Sequence, residues 1–150
     1  MPTPKTASDF KLLAVRVLPE SAQYIRKCLV ENSFYYLNND FRISEDGMMI
    51  TRRSSNIAQL PANFFSLSEK QSKGVRMNFS AIVGMNGDGK SSLVELIIRM
   101  LNNTSIIHGI GEKGAFLWVH NVEAELYYQL DGFFYRLVST DNDVRIYRYV

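Results

Sequence analysis

The apolar positions of this 150-residue chain change period several times, and each change marks a predicted element. Lys11–Leu18 (KLLAVRVL) is rich in β-branched residues and partly alternating, which predicts a strand. Pro19 punctuates it. In ESAQYIRKCLVE the spacing of Tyr24, Ile25, Cys28 and Leu29 predicts a helix, with Cys28 as a small core residue. Ser33–Leu37 reads as a short strand, and DFRIS-EDG-MMIT as a hairpin in which Asp46-Gly47 supplies the left-handed turn. Pro61 breaks the chain before Asn63–Leu67, and the polar stretch SEKQSKG leads on to Val75. From there Val75, Met77, Phe79, Ala81 and Val83 alternate before the run becomes continuously apolar, the pattern of a strand entering a core covered on both faces. Leu93, Leu96, Ile97, Met100 and Leu101 then keep helical spacing, with Asn102-Asn103 as the expected helix end. Beyond a glycine-punctuated loop, Ala124, Leu126, Tyr128 and Leu130 alternate with polar partners. Asp131-Gly132 predicts a second hairpin turn, and Val144–Val150 a further strand.

Between the apolar run and the long helix lies Gly84-Met85-Asn86-Gly87-Asp88-Gly89-Lys90-Ser91, which matches G-x-x-x-x-G-K-[ST]. Glycines let successive amides turn inward into a concave nest that side chains would block. The helix starting near Lys90 adds the positive end of its dipole. Lys90 has the reach for β- and γ-phosphates, and the Ser91 hydroxyl suits a Mg²⁺ ion that bridges them. An ordinary Asn86-Gly87 hairpin turn is the competing reading, but the period of 3.6 after the glycines leaves no second strand for it. Chance is expected to produce the match in roughly half a percent of chains this long, so the pattern carries weight. Ser92 either hydrogen-bonds phosphate or stabilises the first helical turn. Asp88 is awkward: at about 6 Å and an effective dielectric near 20, a carboxylate repels a phosphate charge by roughly 3 kcal/mol. It is expected to face solvent or to cap the helix.

The stretch NFSAIVGMNGDGKSSLVELIIRML resembles the first nucleotide-binding segment of ABC-class P-loop ATPases, closest to the RecF/SMC-like branch, where G-x-N-G-x-G-K-S-[ST]-L is usual. The likeness is strong over about residues 77–101 and weak over 115–150. It implies an α/β fold: the N-terminal lobe of a P-loop ATPase, a mixed sheet with antiparallel hairpins flanking the loop strand and helix. The strand, loop and helix would occupy about 75–103, and antiparallel strands about 115–150, of a single domain or part-domain spanning 1–150. The resemblance further implies ATP and Mg²⁺ as cofactors, with Gly84, Asn86, Gly87, Asp88, Gly89, Lys90, Ser91 and Ser92 around the phosphates and Ser91 on the metal. The family's glutamine loop, LSGGQ-like signature, strand-ending aspartate with catalytic glutamate, and switch histidine have no convincing counterparts. ELYYQLD (Glu125–Asp131) reads as a hairpin strand, Gln129 as solvent-facing, and His108 and His120 as surface imidazoles. Hydrolysis would therefore depend on the remainder of a longer ATPase chain, or on a second copy forming an ATP sandwich.

Composition narrows the rest. A formal net charge of +2 is too small to argue for nucleic acid or an anionic membrane, so nucleic acid enters by family analogy alone. Arg52-Arg53 and Arg145/Arg148 read as solvated faces. One cysteine excludes an internal disulfide framework. The start of the chain lacks an apolar signal core and no run approaches roughly eighteen apolar residues, so a cytoplasmic protein is expected. Two other function classes compete. One is a non-catalytic nucleotide-binding module presenting Phe133, Phe134, Tyr135, Tyr147 and Tyr149 to a partner. The other, a small-molecule kinase, would need arginine-bearing lid segments at a spacing the chain does not show. Phe64, Phe65 and Tyr36 are candidates for stacking on a base, though each also suits a core.

Overall fold

The computed structural model describes residues 9–53, 80–83, 85, 87–111 and 114–150. Its strands are β1 (Phe10–Val17), β2 (Phe34–Tyr36), β3 (Phe41–Ile43), β4 (Ile50–Arg52), β5 (Ala124–Leu130), β6 (Phe133–Ser139) and β7 (Val144–Arg148). Its helices are the single turn α1 (Gln23–Arg26) and the 18-residue α2 (Lys90–Ile107). Five strands form one sheet in the order β2-β1-β5-β6-β7, and β3 pairs with β4 alone. Every pairing is antiparallel.

Side-chain alternation builds two cores on this sheet. On one face Val15, Val17, Leu126, Leu137 and Val144 meet Leu93, Leu96 and Met100 of α2, together with Ile25 and Leu29. On the other, Ala14 and Tyr127 pack with Leu13 against Phe41 and Ile43 of the β3–β4 hairpin. The hairpin thus covers the side of β5 that the sequence pattern assigns to solvent. Asp131 (φ 51°) and Gly132 (φ 84°) make the two-residue turn between β5 and β6 that Asp-Gly predicts. Within β1 the register slips between Leu12 and Ala14, so Leu13 is an extra, bulged residue.

Three expectations need correction here. The first helix is one turn, because Lys27 takes φ 54° immediately after it and rotates Cys28 off the helix face. Cys28 is accordingly exposed, whereas Leu29 is buried. The long helix passes straight through Asn102-Asn103 and ends four residues later, at Ile107. These asparagines serve tertiary contacts. The fully buried Asn103 accepts from the Val119 amide (2.9 Å) and donates to the Val119 carbonyl (2.8 Å), as a neighbouring strand would. Asn102 donates to the Leu117 carbonyl at 2.8 Å. Lastly, residues 80–83 form no strand, and Val83 is 86% exposed. Among the described residues each interior strand of the sheet already has both ladders filled, so this segment takes no interior place in it. Residues 75–79 of the expected strand, and Asn63–Leu67 with Phe64 and Phe65, lie outside the described residues.

Covering the second sheet face buries a carboxylate. Glu125 is 7% exposed and lies between Arg16 (3.5 Å) and Arg136 (3.7 Å). The Tyr127 hydroxyl donates to it at 2.5 Å. Burial, then the adjoining Glu125, pushes the Tyr127 phenol well above its ordinary range. Burial raises Tyr149 to about 12, so both hydroxyls remain donors at neutral pH. The hairpin turn is fastened over this cluster: the Gly47 carbonyl accepts from Tyr149 (2.5 Å) and Arg136 (3.3 Å). A Cβ on Gly47 would stand 2.3 Å from the Tyr127 hydroxyl oxygen, in a backbone already at φ +70°. Tyr127 is fully buried and has no room to retreat. Gly47→Ala is therefore expected to cost about 2–4 kcal/mol, from overpacking plus left-handed strain, read as a lower urea midpoint.

Candidate functional site

The turn into α2 is built on two left-handed glycines, Gly87 (φ 95°) and Gly89 (φ 86°). Gly89 is the residue that caps the helix, and no side chain hydrogen-bonds at that cap. The ladder starts with the Leu93 amide donating to the Gly89 carbonyl, so the first-turn amides face the loop. An unbroken helix of 18 residues directs its positive end to the same place.

Around the turn the backbone of Met85 is the hub. Its amide donates to Asp88 Oδ2 at 2.5 Å, while its carbonyl accepts from the Asp88 amide at 3.3 Å. Lys90 Nζ donates to the same carbonyl and closes the loop across its mouth. Asp88 is exposed, as expected, but its carboxylate ties back to Met85 and does not cap the helix. Ser91 is exposed on the first turn of α2. Ser92 is 8% exposed and turns inward, its Oγ 3.7 Å from Cys28 Sγ. The geometry thus separates the two serines, one outward and one in the wall. Gly84 and Asn86 lie outside the described residues.

The back of the loop rests on the segment after α1, a support that nothing in the local pattern of 84–91 announces. A Cβ on Gly89 would sit 3.0 Å from Leu29 Cδ2 and 3.1 Å from Cys28 Sγ. Lys27, at its strained φ, bridges to Glu95 on α2, which also pairs with Arg99. The Lys27 hydrogen bond, with both cations nearby, holds the Glu95 carboxyl below the usual range. Since Leu29 is 1% exposed, it cannot yield to a larger residue at 89. Gly89→Ala is expected to destabilise the chain by about 1–3 kcal/mol, a loss that a thermal or urea transition will register.

The remaining candidates lie elsewhere. His108 is exposed past the end of α2, and His120 is exposed with Nδ1 3.3 Å from Asp141. Gln129 is half-buried in β5, opposite Lys11, and Asp131 sits in the hairpin turn with an oxygen accepting from the Asp9 amide. Tyr36 is partly buried and packs against the hairpin-side core, the alternative role its sequence position also suits. Among the described residues no group of three His, Cys, Asp or Glu side chains is placed to hold a metal ion. A Mg²⁺ at this loop would need phosphate oxygens and water as its main ligands, with Ser91 contributing one; that division is usual for Mg²⁺ bound with phosphates. No helix among the described residues is long and apolar enough to cross a membrane. No family model matches the chain, and neither a curated protein nor a solved structure matches it.

Proposed function

We propose that the loop at 84–91 binds the phosphates of ATP·Mg²⁺, and that the chain is the nucleotide-binding segment of an ABC-class, RecF/SMC-like ATPase. The observation that carries this reading is the join between loop and helix. Two positive-φ glycines turn the backbone directly into the start of α2, with Lys90 at the mouth and Ser91 facing out. Those are the parts that anion capture requires: amides at a helix start, a dipole of matching sign, and a cation on a long side chain. Ser92 supports the wall and leaves the metal to Ser91. When bound, Mg²⁺ would neutralise part of the phosphate charge and fix its oxygens. Lys90 would exchange the Met85 carbonyl for phosphate oxygens, and Gly87 and Gly89 would let the loop backbone approach them. None of the described residues near the loop is placed to activate a water, so binding without appreciable turnover is the behaviour expected of this chain, with hydrolysis supplied by further chain or by a second copy. Titration of the chain with ATP·Mg²⁺, beside its Lys90→Ala variant, tests the reading.

One observation favours the second reading, an interaction module using its sheet. Phe133 (47% exposed) in β6 and Tyr147 (43%) in the edge strand β7 each lie under an arginine: Arg148 at 3.8 Å from the Phe133 ring and Arg136 at 5.2 Å from Tyr147. Phe134 and Tyr149 belong instead to the hairpin-side core. The aromatic surface is thus narrower than the five-residue set read from the sequence.

A further inference from the structure

The carboxylate of Asp88 is the one charge at the loop whose sign opposes the proposed ligand. Its position is built in: Oδ2 accepts from the Met85 amide, the Asp88 amide donates back to the Met85 carbonyl, and Lys90 Nζ donates to that same carbonyl. Anion and cation are therefore organised around the backbone of a single residue, Met85, beside the turn built on Gly87 and Gly89. We propose that Asp88 is a specificity-determining residue: an internal anion that makes the loop discriminate against metal-free polyphosphate and accept the magnesium complex. This rests on the phosphate-binding reading given above.

The physical reason is Coulombic. Repulsion between a fixed carboxylate and a ligand scales with ligand charge. ATP free of metal carries about four negative charges and its magnesium complex about two, so the carboxylate penalises the former about twice as strongly in free energy. A loop holding only amides and a lysine would bind both forms and prefer the more highly charged one. With Asp88 in place, that preference is cut back, and the balance shifts toward the magnesium complex.

Asp88→Asn separates charge from geometry. The amide oxygen still accepts from the Met85 amide, so the turn is retained while the charge is lost; Asp88→Ala removes both. The full chain and both variants are titrated by calorimetry with ATP in excess Mg²⁺ and with ATP in a chelator. Binding of metal-free ATP is expected to tighten about tenfold or more in Asp88→Asn, with a smaller gain for the magnesium complex, so the ratio of the two affinities contracts. The same contraction in Asp88→Ala shows that charge is responsible. An unchanged ratio in Asp88→Asn, or weaker binding of both forms, overturns the proposal. Lys90→Ala distinguishes the two levels of failure: binding that depends on Lys90 with a metal dependence indifferent to Asp88 removes this inference alone. Absence of Lys90-dependent binding in every variant removes the phosphate-loop reading and this inference together.

Discussion

Replacement of Lys90 by alanine is expected to weaken ATP·Mg²⁺ binding about ten- to more than a hundredfold, because charge-assisted hydrogen bonds worth about 1.5–3 kcal/mol disappear. Stability should barely move. Lys90 is the first residue of α2, where alanine is at least as good a helix former. The bond from Nζ to the Met85 carbonyl lies in an exposed turn whose tie between Met85 and Asp88 remains in the variant. Calorimetry and a urea transition on the same preparation separate the outcomes. Equal affinity in the two proteins would remove the loop from consideration as a phosphate site. Lost affinity together with a lowered midpoint would point to damage to the turn.

The largest stability effect is expected far from the loop, at Glu125. Its carboxylate lies between Arg16 and Arg136, whose side chains are each 16% exposed, and it accepts from Tyr127. Glu125→Ala leaves two guanidinium groups facing each other beneath the β3–β4 hairpin and removes the acceptor of a buried phenol. A loss of about 3–5 kcal/mol is expected, the range for removing one partner of a buried ion pair. Arg16 keeps a long 3.5 Å bond to Asn32 and Arg136 a 3.3 Å bond to the Gly47 carbonyl, and among the described residues the buried Nε of each finds no hydrogen-bond partner. Glu125→Gln keeps an acceptor for Tyr127 and should lose less. The readout is the urea midpoint at constant slope, since a changed slope would signal a hairpin detached in the native state. A midpoint for Glu125→Ala within error of the parent would show that the arginines reach solvent unaided.

Local chemistry made much of the fold legible in the sequence. Asp46-Gly47 and Asp131-Gly132 announce their turns because a left-handed conformation excludes most other residues. The strands beside them follow from alternation. What stayed hidden depends on distant chain. Glu125 and Gln129 read as a solvent side because nothing near them reveals that the hairpin folds over β5. Asn102-Asn103 resembles a helix end, since asparagine is common there, yet its amides are used across the core by residues 117–119. At the candidate site the motif is legible, as are the left-handed glycines at 87 and 89. The wall formed by Cys28 and Leu29 is not, because the short helix before it ends in a strained Lys27 that no periodicity foretells. The apolar run before the loop misled: Ala81 and Val83 suit a strand by composition, but the sheet offers them no interior place.

The extra residue in β1 sets which length changes the chain tolerates. Leu13 and Ala14 both fall opposite Tyr127, and the Leu13 carbonyl accepts from the amides of Leu37 and Asn38, where the chain turns toward the hairpin. Loss of one codon at Leu13 would straighten the strand and leave Val15 and Val17 under the helix. Loss of one between Val15 and Val17 would invert part of the strand, setting side chains meant for one core into the other. Drift along this strand is therefore limited by spacing as much as by greasiness, with a single spare position to absorb it.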